Sequence, residues 1–265
     1  MPGAAWFWGA LSLYGVATVL YLVFLGQAKG SVSRPAQGAL LAGFIAHFLE
    51  IGARGIAGLH PVSSAGDSVG FLAWLLVGAF LITQLKRRLL AVGATVAPAA
   101  LLLLVSARFA SPGPGGDTTS GLGVLGRVHI SLATLGVSLF AFATALAVIY
   151  LFEERQLKHK HIGRLVKKGI ALETLDTLLH RCVQVGFPIF TVAIVAGAIW
   201  SGKKNGGIRP EYSVAMVAWC SFAGLLLARQ AAGWRGRRAA LMTLVGFSAS
   251  LVVLAIYLVR HVTGG

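Results

Sequence analysis

Three ionisable side chains stand inside a stretch of sequence that is apolar enough to cross a bilayer. His47, Glu50 and Arg54 lie in the segment 36–58 with helical spacing, so a helix would place them on one stripe. Ionisable groups at membrane depth are costly and usually face a bundle interior or a cavity, where they mark a functional site. The structural alternative is an i, i+4 ion pair between Glu50 and Arg54, with His47 bonded to a neighbouring carbonyl. The residues by themselves leave both interpretations open.

Further histidines are predicted to gather on one face of the membrane. His60 opens the first outer loop, His129 stands at the outer end of the fifth apolar segment, and His261 follows the last one. Neutral imidazole is a good ligand for haem iron, and two imidazoles from different helices can hold it axially. A lone metal ion would need three or four closely spaced ligands, and a proton relay would need a chain of acids and histidines. Haem is therefore one candidate ligand of an outward-facing site.

The elements that position these residues are membrane-spanning helices. Hydrophobic residues make up 57% of the chain and charged residues only 12%, with a mean hydropathy of +0.80. A soluble domain carries about twice that charged fraction. The sequence therefore predicts an all-α, polytopic membrane protein, a bundle of eight transmembrane helices that forms a single membrane domain over residues 1–265. The predicted spans are 5–26, 36–58, 68–85, 89–108, 126–152, 177–200, 212–230 and 239–259.

The formal net charge of +15 reflects topology rather than nucleic-acid binding. Most of the 23 basic residues fall in one set of alternate loops, which marks the cytoplasmic face and predicts that both termini lie outside. The same charge suits contact with anionic lipid headgroups. Cys182 and Cys220 both lie in predicted spans and form no Cys-x-x-Cys motif, which argues against a dithiol oxidoreductase or a c-type cytochrome.

Ordered motifs run along nearly the whole chain. They comprise the second span with His47, followed by Arg54, Pro61 and Ser63–Ser64, and the segments 68–74, 128–136, 151–158, 172–176, 186–190, 197–200 and 233–241. In order and spacing, this set resembles the cytochrome c assembly family of polytopic membrane proteins. That family includes the CcsA-type haem-handling subunits and the HemX-type proteins.

The resemblance implies a set of haem ligands. In the CcsA-type branch, two external histidines flank a tryptophan-rich loop called WWD and hold haem outside the membrane, while a pair of membrane histidines holds a second haem. Carried over to this chain, His129 and His261 would be the external ligands of the haem iron and His47 one membrane ligand. The chain departs from that pattern at two places. The segment 201–211 contains no tryptophan, and Leu227 stands where the second membrane histidine is expected.

The resemblance therefore implies a divergent family member that lacks the WWD loop. It would bind or present haem, as haem b, on the outer face of the bacterial inner (cytoplasmic) membrane during cytochrome c assembly. The expected partners are haem, apocytochrome c or other assembly subunits, and the lipid bilayer, but no nucleic acid. The missing loop and ligand indicate that the chain is not a complete enzyme by itself.

Two alternatives stay open at this point. One is a HemX-like regulatory or scaffolding protein of tetrapyrrole biosynthesis that holds no haem and acts through the basic segment 153–176. The other is a small-solute transporter in which Glu50 and Arg54 gate a central cavity.

Overall fold

Long apolar helices make up nearly all of the structure. The computed structural model describes residues 3–27, 30–87, 89–110, 123–158, 171–203 and 210–263, with side chains except at positions 27, 30, 203, 210–212, 257, 258 and 260–263. In those ranges the long helices are α1 (Ala4–Gln27), α2 (Ser33–Ile56), α3 (Ala65–Lys86), α4 (Gly93–Phe109), α5 (Val124–Lys158), α6 (Leu172–Lys203), α7 (Pro210–Ala232) and α8 (Arg237–Thr263). Short 3-10 turns precede α2 and α4.

The described part of the chain has eight helical segments that are long and apolar enough to cross a membrane. About 20 apolar residues span the hydrocarbon core, and the shortest of these segments has 20. The all-α class and the multi-pass membrane architecture predicted from the sequence are therefore confirmed.

Several helices are longer than the apolar stretches that predicted them. Helix α5 continues to Lys158, beyond the apolar span 126–152, and α6 begins at Leu172, before the apolar span 177–200. Hydropathy detects only the part of a helix that lies in hydrocarbon, whereas the backbone hydrogen bonds continue through polar turns. The extra turns carry Glu153 and Asp176, which are both buried.

The helices form two groups that meet along α5. In the first group, α1 packs on α2 and α4, and α3 packs on α4 and α2. In the second, α5 packs on α6 and α8, and α7 packs on α8 and α6. Helix α3 also packs on α5, where the buried rings of Phe80 and Phe142 meet edge to face at 6.5 Å. Below, the N-terminal half means α1–α4 and the C-terminal half means α5–α8.

Helices α5 and α6 approach each other closely because small residues stand at their contact. A Cβ atom added at Gly136 would lie 3.1 Å from the Phe190 Cβ, and one at Gly186 would lie 3.0 Å from the Phe140 ring. Small residues at these positions let the two backbones come together, which is how membrane helices gain packing energy without a hydrophobic driving force. The α5–α6 pair is therefore a tightly packed support for the side chains at its ends.

A largely buried ion pair joins α6, α7 and the turn before α8 in the C-terminal half. Arg229 on α7 donates two hydrogen bonds to the Asp176 carboxylate on α6, at 3.0 and 2.7 Å. The Gly236 amide in the α7–α8 turn donates a third, at 2.8 Å. Gly236 has a φ of +65°, a conformation that favours glycine. Asp176 is thus fully engaged in holding α6, α7 and the turn before α8.

Candidate functional site

A cavity of about 390 Å³ lies at the end of the bundle that carries the N-terminus. It is bounded by the start of α1, the last turns of α2, the α2–α3 loop, the start of α3 and the end of α4. Its volume is in the range of small-molecule sites, and its lining mixes aromatic and ionisable side chains, as such sites do. The cavity is therefore the first candidate site of this protein.

His47 reaches this cavity from α2 and is only 1% exposed. Its Nδ1 lies 3.4 Å from the hydroxyl oxygen of Tyr14 on α1, and the two rings meet edge to face. Its Nε2 faces Gly70 on α3, where an added Cβ would be 3.8 Å away. Gly70 also lines the cavity, so the absence of a side chain there leaves room beside Nε2.

An ion-pair cluster forms another part of the cavity wall. Arg54 forms an ion pair with Asp67 at the start of α3, and its Nη1 lies 3.5 Å from Glu50 Oε1. The Ser64 hydroxyl accepts a hydrogen bond from the Asp67 amide at 3.1 Å and caps α3. The cluster therefore fastens the end of α2 to the start of α3. The i, i+4 pairing of Glu50 with Arg54 is present, and both residues line the cavity as well.

His129 occupies a different environment, in the C-terminal half. It lies in the second turn of α5, and its Nδ1 is 2.6 Å from the Ala193 carbonyl oxygen on α6. A carbonyl can only accept, so Nδ1 carries the hydrogen and Nε2 keeps its lone pair. The Trp200 ring stacks near the imidazole, with centroids 6.3 Å apart and planes 28° apart. A Cβ at Gly197 would lie 2.6 Å from His129 Cε1, so the ring rests in a gap that only glycine leaves.

The structure separates the predicted histidines into two places. His47 and His60 line one cavity, whereas His129 packs on α6 in the other half. His261 falls in the last turns of α8, and its side chain lies outside the described residues. The start of α8 lies beside the end of α5, since Gly236 approaches the Tyr150 hydroxyl, so the end of α8 runs towards the start of α5. Leu227 is 65% exposed on α7.

The sequence did not reveal two groups of this region: Asp67, which lines the cavity, and Tyr14, which contacts His47 behind it. Asp67 could have been found, since Ser64 and Asp67 have the three-residue spacing of a capping signature before an apolar run. Tyr14 carries no such signal, because a tyrosine in an apolar span is usually a packing residue. Among the described residues, no group of three or more His, Cys, Asp or Glu side chains could hold a metal ion.

The structure describes the residues of the transporter alternative in full and those of the regulatory alternative only in part. For a transporter gate, Glu50 and Arg54 would have to leave the ion pairs that join α2 to α3. A regulatory protein would act through the segment 153–176. Its central residues, 159–170, lie outside the part of the chain that the structure describes.

Comparisons with known proteins point to one family. Residues 62–265 match the sequence model of the cytochrome c assembly protein family. The cytochrome c biogenesis protein CcsA of Guillardia theta is 28% identical over 233 residues, covering 79% of this chain and 77% of the relative. CcsA of Gloeothece citriformis is 27% identical over 298 residues, covering 93% and 87%. CcsA of Chlamydomonas reinhardtii is 28% identical over 220 residues, covering 78% and 60%.

Proposed function

The chain belongs to the cytochrome c assembly protein family, and on that premise we propose that it binds haem and presents it for cytochrome c maturation. The proposed place is the outer face of a bacterial inner membrane, with both termini on that face. The basic loops then lie in the cytoplasm, in agreement with the positive-inside rule. Haem, as haem b, is the cargo in this proposal.

The hydrogen bond of His129 carries the proposal. A histidine that binds a metal usually donates its other ring hydrogen to a carbonyl or carboxylate, which sets the tautomer and the ring orientation. His129 does so through Nδ1 to Ala193. Its Nε2 lone pair is therefore suited to haem iron. The Trp200 ring beside it offers a flat aromatic surface, although the segment 201–211 contains no tryptophan.

His261 is the proposed second ligand on this face. Helix α8 packs on α5 and runs towards the start of that helix, where His129 stands. Two imidazoles from different helices can hold haem iron axially. The outer end of the C-terminal half would then be the surface from which haem passes to apocytochrome c or to another assembly subunit.

Haem titration of the purified protein tests this proposal. In mild detergent, the wild-type protein should shift the Soret band of added haemin, and the shift should saturate, unlike that of haemin in detergent alone. His129→Ala and His261→Ala should each weaken haem binding about tenfold or more, since each removes one proposed ligand of the haem iron. A protein that leaves the haemin spectrum unchanged at every haemin concentration would contradict the proposal. His47→Ala belongs in the same series, because the family resemblance implies a membrane haem at that residue.

A further inference from the structure

We propose that the cavity beside His47 binds a neutral, lipid-soluble quinone, with His47 acting as a hydrogen-bond donor to a quinone oxygen. The proposal concerns the N-terminal half and does not depend on haem binding at His129. It rests on the hydrogen bonding of His47, on the charges that line the cavity and on its aromatic walls.

The partner of His47 favours one tautomer of its ring. Tyr14 is completely buried, and the only hydrogen bond of its hydroxyl among the described residues is the 3.4 Å contact with His47 Nδ1. If the hydroxyl donates to Nδ1, both groups are satisfied. If Nδ1 donates instead, the hydroxyl hydrogen is left buried without an acceptor, which is unfavourable. The favoured tautomer therefore carries its hydrogen on Nε2, the nitrogen that faces Gly70 and the cavity.

A ring nitrogen that bears a hydrogen donates and cannot bind a metal through a lone pair. His47 Nε2 is thus a hydrogen-bond donor on a side chain that is only 1% exposed. Among the described residues, Nε2 has no hydrogen-bond partner. Buried donors need acceptors. An uncharged carbonyl oxygen of a ligand would satisfy it.

The charges of the lining favour a ligand without net charge. Glu50 and Asp67 supply two carboxylates, and Arg54 and Arg108 supply two guanidinium groups. The Arg54 charge is already shared between both carboxylates. A ligand with anionic groups of its own would meet these carboxylates, and a cation would meet the guanidinium groups. A neutral molecule avoids both costs.

The remaining walls suit a flat apolar ring. Phe7 and Trp8 on α1, Phe71 on α3 and Leu104 on α4 also line the cavity. A quinone combines a planar apolar ring with carbonyl oxygens that can accept the His47 hydrogen, and its prenyl chain makes it soluble in lipid.

Titration with two soluble analogues tests the proposal. The protein is placed in phosphatidylcholine nanodiscs, and a short-chain ubiquinone or a short-chain naphthoquinone is added while tryptophan fluorescence is followed. Quenching should saturate, since Trp8 lines the cavity. His47→Leu removes the donor and should raise Kd about tenfold, which corresponds to one hydrogen bond. His47→Gln keeps an N–H at the end of a similar side chain and should stay within about twofold of wild type.

Two further variants protect the test from folding effects. Gly70→Val places side-chain atoms in front of Nε2 without removing any polar group, and it should also abolish saturable quenching. Tyr21→Phe is the matched control on α1, because the Tyr21 hydroxyl is buried away from the cavity and has no partner among the described residues, and this variant should bind quinone like wild type.

The outcomes separate this proposal from the haem proposal. Equal quinone affinity in wild type, His47→Leu and Gly70→Val would overturn it. A Soret band that is lost in both His47→Gln and His47→Leu, as in His129→Gln, would make His47 an iron ligand and would also overturn it. If the variants bind quinone with the expected order of affinities but the protein binds no haem, the quinone proposal is supported and only the haem proposal is contradicted.

Discussion

The two halves of the molecule each place a histidine towards the same end of the bundle, but they give it opposite partners. In the C-terminal half, His129 faces a carbonyl oxygen that can only accept, so its Nε2 keeps a lone pair. In the N-terminal half, His47 faces a tyrosine hydroxyl that can donate to Nδ1, which favours the tautomer with its hydrogen on Nε2. The partner of one ring nitrogen decides what the other can bind. Histidines that look alike in the sequence are therefore suited to different ligands.

The halves also differ in where their ion pairs lie. The N-terminal half places Glu50, Arg54 and Asp67 along a cavity, and the Arg54 side chain is 29% exposed. The C-terminal half places Asp176 and Arg229 at the opposite end, with side-chain exposures of 10% and 12%. Asp176 receives three hydrogen bonds from Arg229 and Gly236. The first cluster has room for a ligand, whereas the second is saturated and structural.

The largest expected effect comes from breaking the saturated pair. Asp176→Ala should destabilise the folded protein by about 3–5 kcal/mol, because it leaves a buried guanidinium group without its partner. Asp67→Ala is the control in the other half, and it should cost less than about half as much, since Arg54 keeps Glu50 and contacts solvent. Thermal unfolding in detergent would measure both. Equal losses of stability in the two variants would show that the two ion-pair clusters contribute equally to the fold.

A pair of glycine variants should sharpen the contrast between the histidines. Gly197→Ala would place a Cβ 2.6 Å from His129 Cε1 and displace the ring, so haem affinity should fall about 10- to 100-fold. Gly70→Ala would place a Cβ at an ordinary 3.8 Å from His47 Nε2 and should leave haem affinity unchanged. Haemin titration of both variants checks this. A similar haem affinity in both would show that His129 does not need its present position.

The turn before α8 should respond to a side chain at Gly236. Gly236→Ala introduces a residue with a φ of +65° and a Cβ 2.6 Å from the Tyr150 hydroxyl, which should cost about 1–2 kcal/mol or more. Adding Tyr150→Phe removes the clash but not the backbone strain, so the double variant should recover only part of the loss. Full recovery of the melting temperature would show that strain in the turn is unimportant.

The smallest effect is expected from two tyrosines on α1. Tyr14→Phe should cost about 1 kcal/mol, because it removes the hydrogen bond to His47. Tyr21→Phe should be neutral or stabilising, because that buried hydroxyl has no partner in the described structure. The melting temperatures of the two variants in the same detergent compare them directly. A larger loss for Tyr21→Phe would contradict the assignment of Tyr14 as the partner of His47.

Much of the architecture could be predicted, and the site only in part. Hydropathy located the eight long helices of the described residues, and the helices extend furthest beyond their apolar spans at the polar turns of α5 and α6, which hydropathy does not register. The i, i+4 pairing of Glu50 with Arg54 could also be predicted, because its partners are neighbours on one helix. The partners of Asp176 could not, since Arg229 and Gly236 are more than 50 residues away in the sequence.

Composition and spacing are local properties, so the amino-acid sequence alone establishes a multi-pass helical membrane protein with the ordered motifs of its family. The atoms that face His47 and His129 depend on how the helices pack. Tyr14 is 33 residues from His47, and Ala193 is 64 residues from His129, so neither contact can be read from helical spacing. The protonated nitrogen of each imidazole depends on those distant partners. For this reason the position of His47 on the polar stripe of α2 does not by itself show whether its Nε2 donates a hydrogen or offers a lone pair.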